Sequence, residues 1–313
     1  MIPTKEALQK AQETVQLYTH RTPVLTSGLI DELVGASVFF KCENFQKMGA
    51  FKMRGAVNKI LSLSDAERGK GVVTHSSGNF GQAVALSAKM LGIPAYIVMP
   101  ENAPQVKKNA VKGYGGIVTE CPSTIEAREQ ETNRIQQETG ATFMHPSNDI
   151  AVILGNSTAA SELLEEYEDL DVLFAPVGGG GLIAGTALAA HYFGKNCSTI
   201  GGEPFAVDDA YRSLLSGQIE KNERTNTIAD GLRTYLGDQN FPIIQQLVKK
   251  IIRVEEKEIV DAMQLIWERL KIVIEPSSAV AFAALLKNKE EFKDQKIGVI
   301  FSGGNIDVHN LPF

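Results

Sequence analysis

Near its N-terminus the chain reads Lys41-Cys-Glu-Asn-Phe-Gln-Lys-Met-Gly-Ala-Phe-Lys52-Met-Arg54-Gly55-Ala56. Lys52 stands between Phe51 and Met53 beside glycine and alanine, so its amine is a candidate for desolvation. Desolvation favours the neutral amine, which attacks carbonyl groups and can hold a cofactor aldehyde as a Schiff base. The alternative is an ordinary surface lysine, because most lysines are exposed. This stretch alone leaves both interpretations open.

Four consecutive glycines, Gly178, Gly179, Gly180 and Gly181, follow an apolar segment at 172–177 and precede a helical pattern. Four such residues lose much backbone entropy on folding, so packing alone explains them poorly. Their N–H groups at the start of a helix would form a cradle for a phosphate. The alternatives are a tight turn after a strand and a dinucleotide-binding loop. The latter is a serious candidate because Gly179-x-Gly181-x-x-Ala184, with Glu203 about 20 residues on, fits that fingerprint.

Two further turns also follow apolar segments, and they read His75-Ser76-Ser77-Gly78-Asn79-Phe80-Gly81 and Phe301-Ser302-Gly303-Gly304-Asn305. In the first turn, small hydroxyls and N–H groups at a helix start suit a carboxylate, and Asn79 could hydrogen-bond a phenolate-type oxygen. The alternative there is an ordinary helix cap. In the second turn, Ser302 would lie at the carboxyl edge of a sheet, where open α/β sheets bind ligands. The alternative is a simple Gly-Gly turn.

The pattern of apolar residues indicates an α/β fold with parallel twisted sheets flanked by helices. Strands are predicted at 38–40, 71–74, 95–99, 116–119, 172–177, 199–200 and 297–301. Helices are predicted at 79–91, 124–138, 256–270 and 277–286, with one more after the N-cap residue Thr4. We expect two sheets, in a large domain of residues 1–60 and 149–313 and a smaller inserted α/β domain of residues 61–148.

Composition excludes several classes of protein. The 313 residues are 43% hydrophobic and 22% charged, as in a globular protein. The net charge of −6 and the lack of a Lys/Arg run argue against nucleic-acid binding. The apolar stretches are too short to span a membrane, and the first residues lack a secretory signal. Three scattered cysteines and five histidines show no disulfide or zinc spacing, so we expect a cytoplasmic protein.

The motif at 41–56, the Ser-Ser-Gly-Asn turn, the four glycines and the Ser-Gly-Gly-Asn turn occur together in this order. In this the chain resembles the fold-type II pyridoxal-phosphate enzymes, whose fold is like that of the tryptophan synthase β subunit. The likeness is to the serine/threonine dehydratase and serine racemase group, and it runs from Thr22 to the end of the sequence. It implies a homodimer that acts on a small amino acid and binds pyridoxal 5'-phosphate.

The resemblance also implies roles for particular residues. The cofactor would be held by Phe51, Lys52, Asn79, Gly178, Gly179, Gly180, Gly181 and Ser302. Lys52 would bind the aldehyde and move the α-proton, the glycines would bind the phosphate, and Phe51 would stack beside the ring. Asn79 would contact the ring hydroxyl, while a neutral Ser302 at the pyridine nitrogen leaves the ring a weaker electron sink. The substrate carboxylate would be held by Ser76, Ser77, Gly78 and Asn79.

The activity implied is that of an ammonia-lyase, which eliminates water from L-serine, L-threonine or a similar β-hydroxy amino acid and releases a 2-keto acid and ammonia. Serine racemase activity is one alternative, because Ser77 matches the acid/base residue that serine racemases place opposite the lysine. A 3-hydroxyaspartate dehydratase is another, since residues 261–280 and the ending Leu311-Pro-Phe resemble those enzymes. Arg128 aligns with an arginine at the active-site mouth and could bind a second carboxylate, or it could be only an exposed helix residue.

A cation site is implied at Glu203, the main-chain carbonyl of Val207, and Asp209, which match a loop that binds Mg²⁺ or Ca²⁺ in eukaryotic-type serine racemases. Hard oxygen ligands suit these ions, although the same residues could form an acidic turn or cap a helix. Two positions depart from the group's pattern. Phe80 replaces the usual histidine, and Leu-Gly-Asn-Ser-Thr at 154–158 replaces Ala-Gly-Gln-Gly-Thr.

Overall fold

A computed structural model describes residues 2–313, whose strands form two separate sheets. The helices are α1 (Lys5–Val15), α2 (Gly28–Val34), α3 (Lys52–Ser62), α4 (Asp65–Lys70), α5 (Asn79–Leu91), α6 (Gln105–Gly113), α7 (Ile125–Thr139), α8 (Ile150–Glu166), α9 (Gly181–Phe193), α10 (Asp209–Ser216), α11 (Phe241–Leu247), α12 (Glu256–Leu270) and α13 (Pro276–Lys287). The strands are β1 (Val24–Leu25), β2 (Ser37–Cys42), β3 (Val72–His75), β4 (Ala95–Pro100), β5 (Ile117–Cys121), β6 (Thr142–Phe143), β7 (Val172–Pro176), β8 (Ser198–Pro204), β9 (Val248–Val254) and β10 (Lys296–Phe301).

The larger sheet has the strand order β1-β2-β10-β7-β8-β9, and only the short β1 runs antiparallel to its neighbour. Its central strand β7 is apolar and buried throughout. Val172 and Phe174 face a core shared with α2, α12 and α13, whereas Leu173 and Ala175 face a core shared with α8, α9 and α11. Successive side chains of a strand point to opposite faces, so an uninterrupted apolar run requires helices on both.

The smaller sheet has four parallel strands in the order β5-β4-β3-β6. All four lie between residues 72 and 143, within the segment predicted as an inserted domain. Helix α3 contributes Met53, Ala56 and Ile60 to the core under this sheet, and it also contacts α8 of the larger part. The domain boundaries stay a prediction, and α3 packs between α5 and α8 whichever part it is assigned to.

A buried ion network fastens the opening motif into the protein. Arg54 is fully buried, and its guanidinium contacts the carboxylates of Glu43 at 2.7 Å and Glu162 at 2.7 Å. Lys41 Nζ donates to the same Glu162 at 2.7 Å and to the carbonyl oxygen of Thr22 at 2.7 Å. Two cations and two carboxylates balance, which is the condition under which charges persist in an interior. The network joins β2, α3 and α8, and its arginine lies in the first turn of α3, the helix that Lys52 begins.

The α/β class with parallel sheets is confirmed, and the predicted helices at 79–91 and 256–270 coincide with α5 and α12. The strand predicted at 199–200 was too short, because β8 continues through Gly201 and Gly202 to Pro204. A Cβ atom on Gly202 would lie 2.7 Å from the carbonyl oxygen of Val280, so these glycines let α13 approach the strand closely. Helix α8 was not predicted because it is buried on nearly all sides and shows no apolar stripe.

None of the helices within residues 2–313 is both long and apolar enough to cross a membrane.

Candidate active site

Lys52 begins helix α3 and its amine lies in a largely apolar setting. Its Nζ donates a hydrogen bond to the carbonyl oxygen of Pro146 at 2.9 Å, and it lies 4.8 Å from the ring centre of Phe51 and 5.7 Å from that of Phe80. Burial lowers the pKa of Lys52 to about 8, although the charge of Glu275 opposes this. About a tenth of the amine is then neutral at pH 7, far more than for an ordinary lysine. The desolvated nucleophile expected from the sequence fits this environment.

Phe80 explains part of this environment. It stands where the resembled group has a histidine, is nearly fully buried, and belongs to the core under the smaller sheet. An apolar ring at this position keeps water from the amine of Lys52 and disfavours the ammonium form. Phe80 is therefore one of the side chains that bury the amine of Lys52.

Ser302 lies next to the Lys52 turn, although the two are at opposite ends of the sequence. The N–H of Phe51 donates to the carbonyl oxygen of Ser302 at 2.9 Å, and Ala50 and Gly303 form a β-bridge. The Ser302 hydroxyl is buried and lies 3.0 Å from the hydroxyl of Ser278. The first and the last of the four motifs thus form one surface, as parallel strands with a common carboxyl edge require.

Asn79 is held in a defined orientation at the start of α5. Its Oδ1 accepts from Nδ2 of Asn305 at 2.9 Å, and the same Nδ2 donates to the carbonyl of Met48 at 2.8 Å, which fixes the Asn305 amide. Asn79 Nδ2 must then face Glu275, whose two carboxylate oxygens both lie 3.1 Å away. Burial raises the pKa of Glu275 to about 7, against the lowering effect of Asn79. Sequence reasoning missed Glu275, for which the only signal was its place before Pro276 at a helix start.

The four glycines connect β7 to α9. Gly180 has φ 81° and ψ −12°, a left-handed conformation that favours glycine, and a Cβ there would lie 2.7 Å from Asn240 Oδ1. A Cβ on Gly179 would collide with Ser147 Oγ. Among the described residues no acceptor is found for the N–H groups of Gly178, Gly179 and Gly180. A loop at a helix N-terminus with several free N–H groups fits a phosphate.

A second set of free N–H groups lies at the start of α5. The turn at 76–78 is half-buried, and within it Gly78 N–H donates to Ser76 Oγ at 3.3 Å. The N–H groups of Ser77 and Asn79 have no acceptor in the part of the chain that the structure describes. The Ser77 hydroxyl also has no hydrogen-bond partner there. This helix end can bind a carboxylate.

A family model described as "Pyridoxal-phosphate dependent enzyme" matches residues 15–303. The chain belongs to this family.

Individual relatives span two kinds of activity. A serine racemase of Dictyostelium discoideum is 49% identical, over 98% of this chain and 96% of that protein. A beta-hydroxyaspartate dehydratase of Paracoccus denitrificans is 47% identical, over 100% of this chain and 99% of that protein. The crystal structure of a threonine deaminase from T.th. superposes with a TM-score of 0.92 at 41% identity, covering 97% of this chain and 99% of that one.

Membership of the pyridoxal-phosphate family excludes the interpretation of the four glycines as a dinucleotide-binding loop. The structure around Glu203 agrees. Glu203 would have to reach a ribose, but it is fully buried. Its two carboxylate oxygens accept from the N–H groups of Ala210 at 3.0 Å and Tyr211 at 2.8 Å. The residue therefore caps α10 and is not available to a nucleotide.

The residues of the implied cation site lie together at the end of β8 and the start of α10. Burial and then the charge of Asp209 raise the pKa of Glu203 well above its usual value, and burial raises that of Asp209 to about 6. Asp209 Oδ2 is buried without a hydrogen-bond partner among residues 2–313. Val207 is the buried residue of the short turn between them. The orphaned oxygen and the mutually repelling carboxylates fit a divalent cation. No group of three or more His, Cys, Asp and Glu side chains within residues 2–313 is arranged to hold a metal ion by side chains alone.

Arg128 lies on α7 and is half-buried. Its Nε donates to the carbonyl of Thr124 at 3.2 Å, and no carboxylate pairs with it in the described residues. Burial and then the charge of Arg128 lower the pKa of His75, which ends β3 immediately before Ser76. Among the described residues the guanidinium therefore has no ion-pair partner, and its charge acts, together with the opposing charge of Glu129, on the residue beside the turn at 76–78.

His145 was also missed by sequence reasoning. Its Nδ1 accepts from the N–H groups of Ser147 at 3.2 Å and Asn148 at 2.8 Å. Burial, followed by the charges of His75 and Lys52, lowers the pKa of His145 to about 4. The ring is consequently neutral at physiological pH and carries its proton on Nε2.

Proposed function

We propose that this protein eliminates water from a β-hydroxy amino acid such as L-serine or L-threonine, yielding a 2-keto acid and ammonia. The observation that carries the proposal is the desolvated amine of Lys52, whose pKa of about 8 suits both attack on a carbonyl and transfer of a proton. The free N–H groups of two helix ends and the buried hydroxyl of Ser302 are the further groups on which the proposal draws. Family membership supplies the cofactor that these groups fit.

Pyridoxal phosphate, when bound, supplies an electron sink that acidifies the α-proton of the amino acid. The glycines Gly178, Gly179, Gly180 and Gly181 would hold its phosphate, and Phe51 would lie beside its ring. Asn79, fixed by Glu275, would present an N–H donor to the ring hydroxyl. Ser302 would place a neutral hydroxyl at the pyridine nitrogen.

Each remaining step belongs to a side chain or an N–H group of this protein. The N-terminal turn of α5 at 76–79 would bind the substrate carboxylate through its free N–H groups and hydroxyls. The neutral amine of Lys52 would take the α-proton. A neutral Ser302 adds no positive charge near the pyridine nitrogen, so negative charge is stabilised less at the α-carbon and departure of the β-hydroxyl is favoured. The α-proton and the β-hydroxyl together make up the water that is lost, and hydrolysis of the enamine that remains would release the 2-keto acid and ammonia.

Racemisation is a second candidate because Ser77 carries a hydroxyl at the position expected opposite Lys52. The hydroxyl has no neighbouring base within hydrogen-bond distance among the described residues, so it is a weak proton acceptor. This supports elimination as the main activity and racemisation as a side activity. Relatives named serine racemase are consistent with both.

Dehydration of 3-hydroxyaspartate is a further candidate for a specific reason. No carboxylate among residues 2–313 pairs with Arg128, whose charge acts on His75 beside the proposed carboxylate-binding turn, and arginine binds carboxylates bidentately. A substrate with a second carboxylate would supply the missing partner. Relatives with that activity in their names support the same idea.

A divalent cation, Mg²⁺ or Ca²⁺, is proposed at Glu203, the Val207 carbonyl and Asp209. It would neutralise two buried carboxylates and so stabilise the end of β8 against α10. The homodimer and the cytoplasmic location remain predictions.

The class of enzyme is tested with purified protein. We expect a visible absorption band that borohydride bleaches and that Lys52→Ala lacks. A colourless protein that binds NAD would contradict the proposal. The substrate is tested by keto-acid formation from serine, threonine and both 3-hydroxyaspartate diastereomers, with and without Mg²⁺, and by the appearance of D-serine from L-serine.

A further inference from the structure

The side chain of Asn240 joins two loops of the candidate site. Asn240 is fully buried, and its Nδ2 donates to the carbonyl oxygens of Gly179 at 2.8 Å and Ser147 at 3.1 Å. Its Oδ1 accepts from the N–H of Gly237 at 3.1 Å. Two carbonyls can only accept and an N–H can only donate, so the orientation of the amide is fixed by its partners.

Helix capping does not explain this residue. Asn240 occupies the N-cap position of α11, where asparagine is favoured because its side chain can accept from a helix N–H. Here the side chain makes no such bond. Only the main-chain carbonyl serves the helix, accepting from Ile243 at 3.1 Å and Ile244 at 3.0 Å. The amide is used for the two loops instead.

The bond to Gly179 determines where the next N–H points. A trans peptide is planar, so its C=O and the following N–H point in opposite directions. With the Gly179 carbonyl held by Asn240, the N–H of Gly180 points away from Asn240, towards a side where no acceptor exists among residues 2–313. A run of four glycines would otherwise exchange readily between conformations. The amide of Asn240 selects one of them.

The bond to Ser147 acts on the loop that receives Lys52. Pro146, one residue earlier, provides the carbonyl that accepts from Lys52 Nζ. The same peptide geometry applies here: because Asn240 holds the Ser147 carbonyl, the N–H of Asn148 points away from Asn240. It donates to His145 Nδ1 at 2.8 Å. One side chain thus holds both the glycine loop and the loop at the lysine.

We propose that Asn240 is a positioning residue that orients the N–H groups of the glycine loop towards a phosphate and sets that loop's place relative to Lys52. The inference rests on the proposed cofactor site at the four glycines. The ligand class is a phosphate monoester, and inorganic phosphate shares its chemistry.

The test uses the full-length protein stripped of cofactor. Asn240→Asp keeps the size of the side chain but places an acceptor against two carbonyl oxygens. We expect pyridoxal phosphate to bind about ten- to a hundredfold more weakly, as the loss of one or two buried hydrogen bonds implies. Inorganic phosphate should compete correspondingly less well. Pyridoxal, which lacks the phosphate, should bind as it does to the wild type.

Asn58→Asp is the matched control. Asn58 is also a buried asparagine whose Nδ2 donates to a main-chain carbonyl, that of Ala151 at 2.7 Å, but it does not contact the glycine loop. The Asn58→Asp variant should leave the ratio of pyridoxal phosphate affinity to pyridoxal affinity at the wild-type value, even if the substitution lowers the melting temperature.

An unchanged ratio in Asn240→Asp, whether both affinities stay the same or both fall together, would overturn the proposal. The uncharged Asn240→Ala is measured in the same way, because an aspartate would also repel the phosphate by its charge; the ratio must fall in both variants, and Asn240→Ala alone decides if Asn240→Asp does not fold. Failure of the underlying site would look different. In that case the wild type itself would not prefer pyridoxal phosphate to pyridoxal, and Gly180→Ala would have no effect on either.

Discussion

The buried network around Arg54 makes the opening motif a stability element, and removal of this one cation should be costly. Arg54 is 0% exposed and contacts Glu43 and Glu162 through both of its edges, at 2.7 to 2.9 Å. In Arg54→Met, Glu162 keeps Lys41 as a partner, but Glu43 loses its only ionic partner among the described residues. A buried charge left in this way costs about 3–5 kcal/mol of unfolding free energy.

A surface pair provides the comparison. Arg21 contacts Glu165 at 2.9 Å, and these side chains are 54% and 48% exposed. Arg21→Met should cost about 0–1 kcal/mol, because water screens and solvates both charges. Removing the second charge as well, in Arg54→Met with Glu43→Gln, should regain about 1–3 kcal/mol, since the remaining Lys41 and Glu162 balance each other.

Urea unfolding followed by far-UV circular dichroism measures all four proteins under the same conditions. If Arg54→Met and Arg21→Met differed by less than about 1 kcal/mol, the reasoning from burial would be refuted. A double variant less stable than Arg54→Met alone would contradict the account of Glu43 as an uncompensated charge.

Three further outcomes are expected. Burial lowers the pKa of Lys52 to about 8, and only the neutral amine reacts with an aldehyde. The rate at which the cofactor-free protein captures an aldehyde should therefore rise with pH around that value. A midpoint near 10.5 would show a solvated lysine instead. Arg128→Ala should lower kcat/KM for 3-hydroxyaspartate about ten- to a hundredfold and leave kcat/KM for serine unchanged. Arg134→Ala on the same helix is the control, because its guanidinium is already paired with Glu131 and Glu138. It should leave kcat/KM unchanged for both substrates. Mg²⁺ at about 100 times its dissociation constant should stabilise the protein by about 2.7 kcal/mol in thermal unfolding, and Asp209→Asn should abolish this stabilisation. Equal stabilisation of the wild type and the variant would exclude Asp209 as a ligand.

The sequence alone contained the main elements of the site because their causes are local. Gly180 adopts a left-handed backbone that favours glycine, and β7 must be apolar because helices cover both of its faces. The four motifs also each follow or border a strand end. Parallel strands of one sheet bring such ends to one edge, so the proximity of the motifs after β2, β7 and β10 could be expected from the sequence, whereas the turn after β3 belongs to the other sheet.

The tertiary structure alone decided which side chains complete that site. Glu275 and Asn240 carry no local signature of function, because each acts through partners more than sixty residues away in sequence or on another loop. The reactivity of Lys52 was likewise undetermined, since its pKa depends on the apolar walls of Phe51 and Phe80 and on the charge of Glu275. The sequence specified a lysine in a glycine-rich turn. Only the fold brings together the residues that desolvate its amine and lower its pKa, because the cost of burying a charge is set by its surroundings in space.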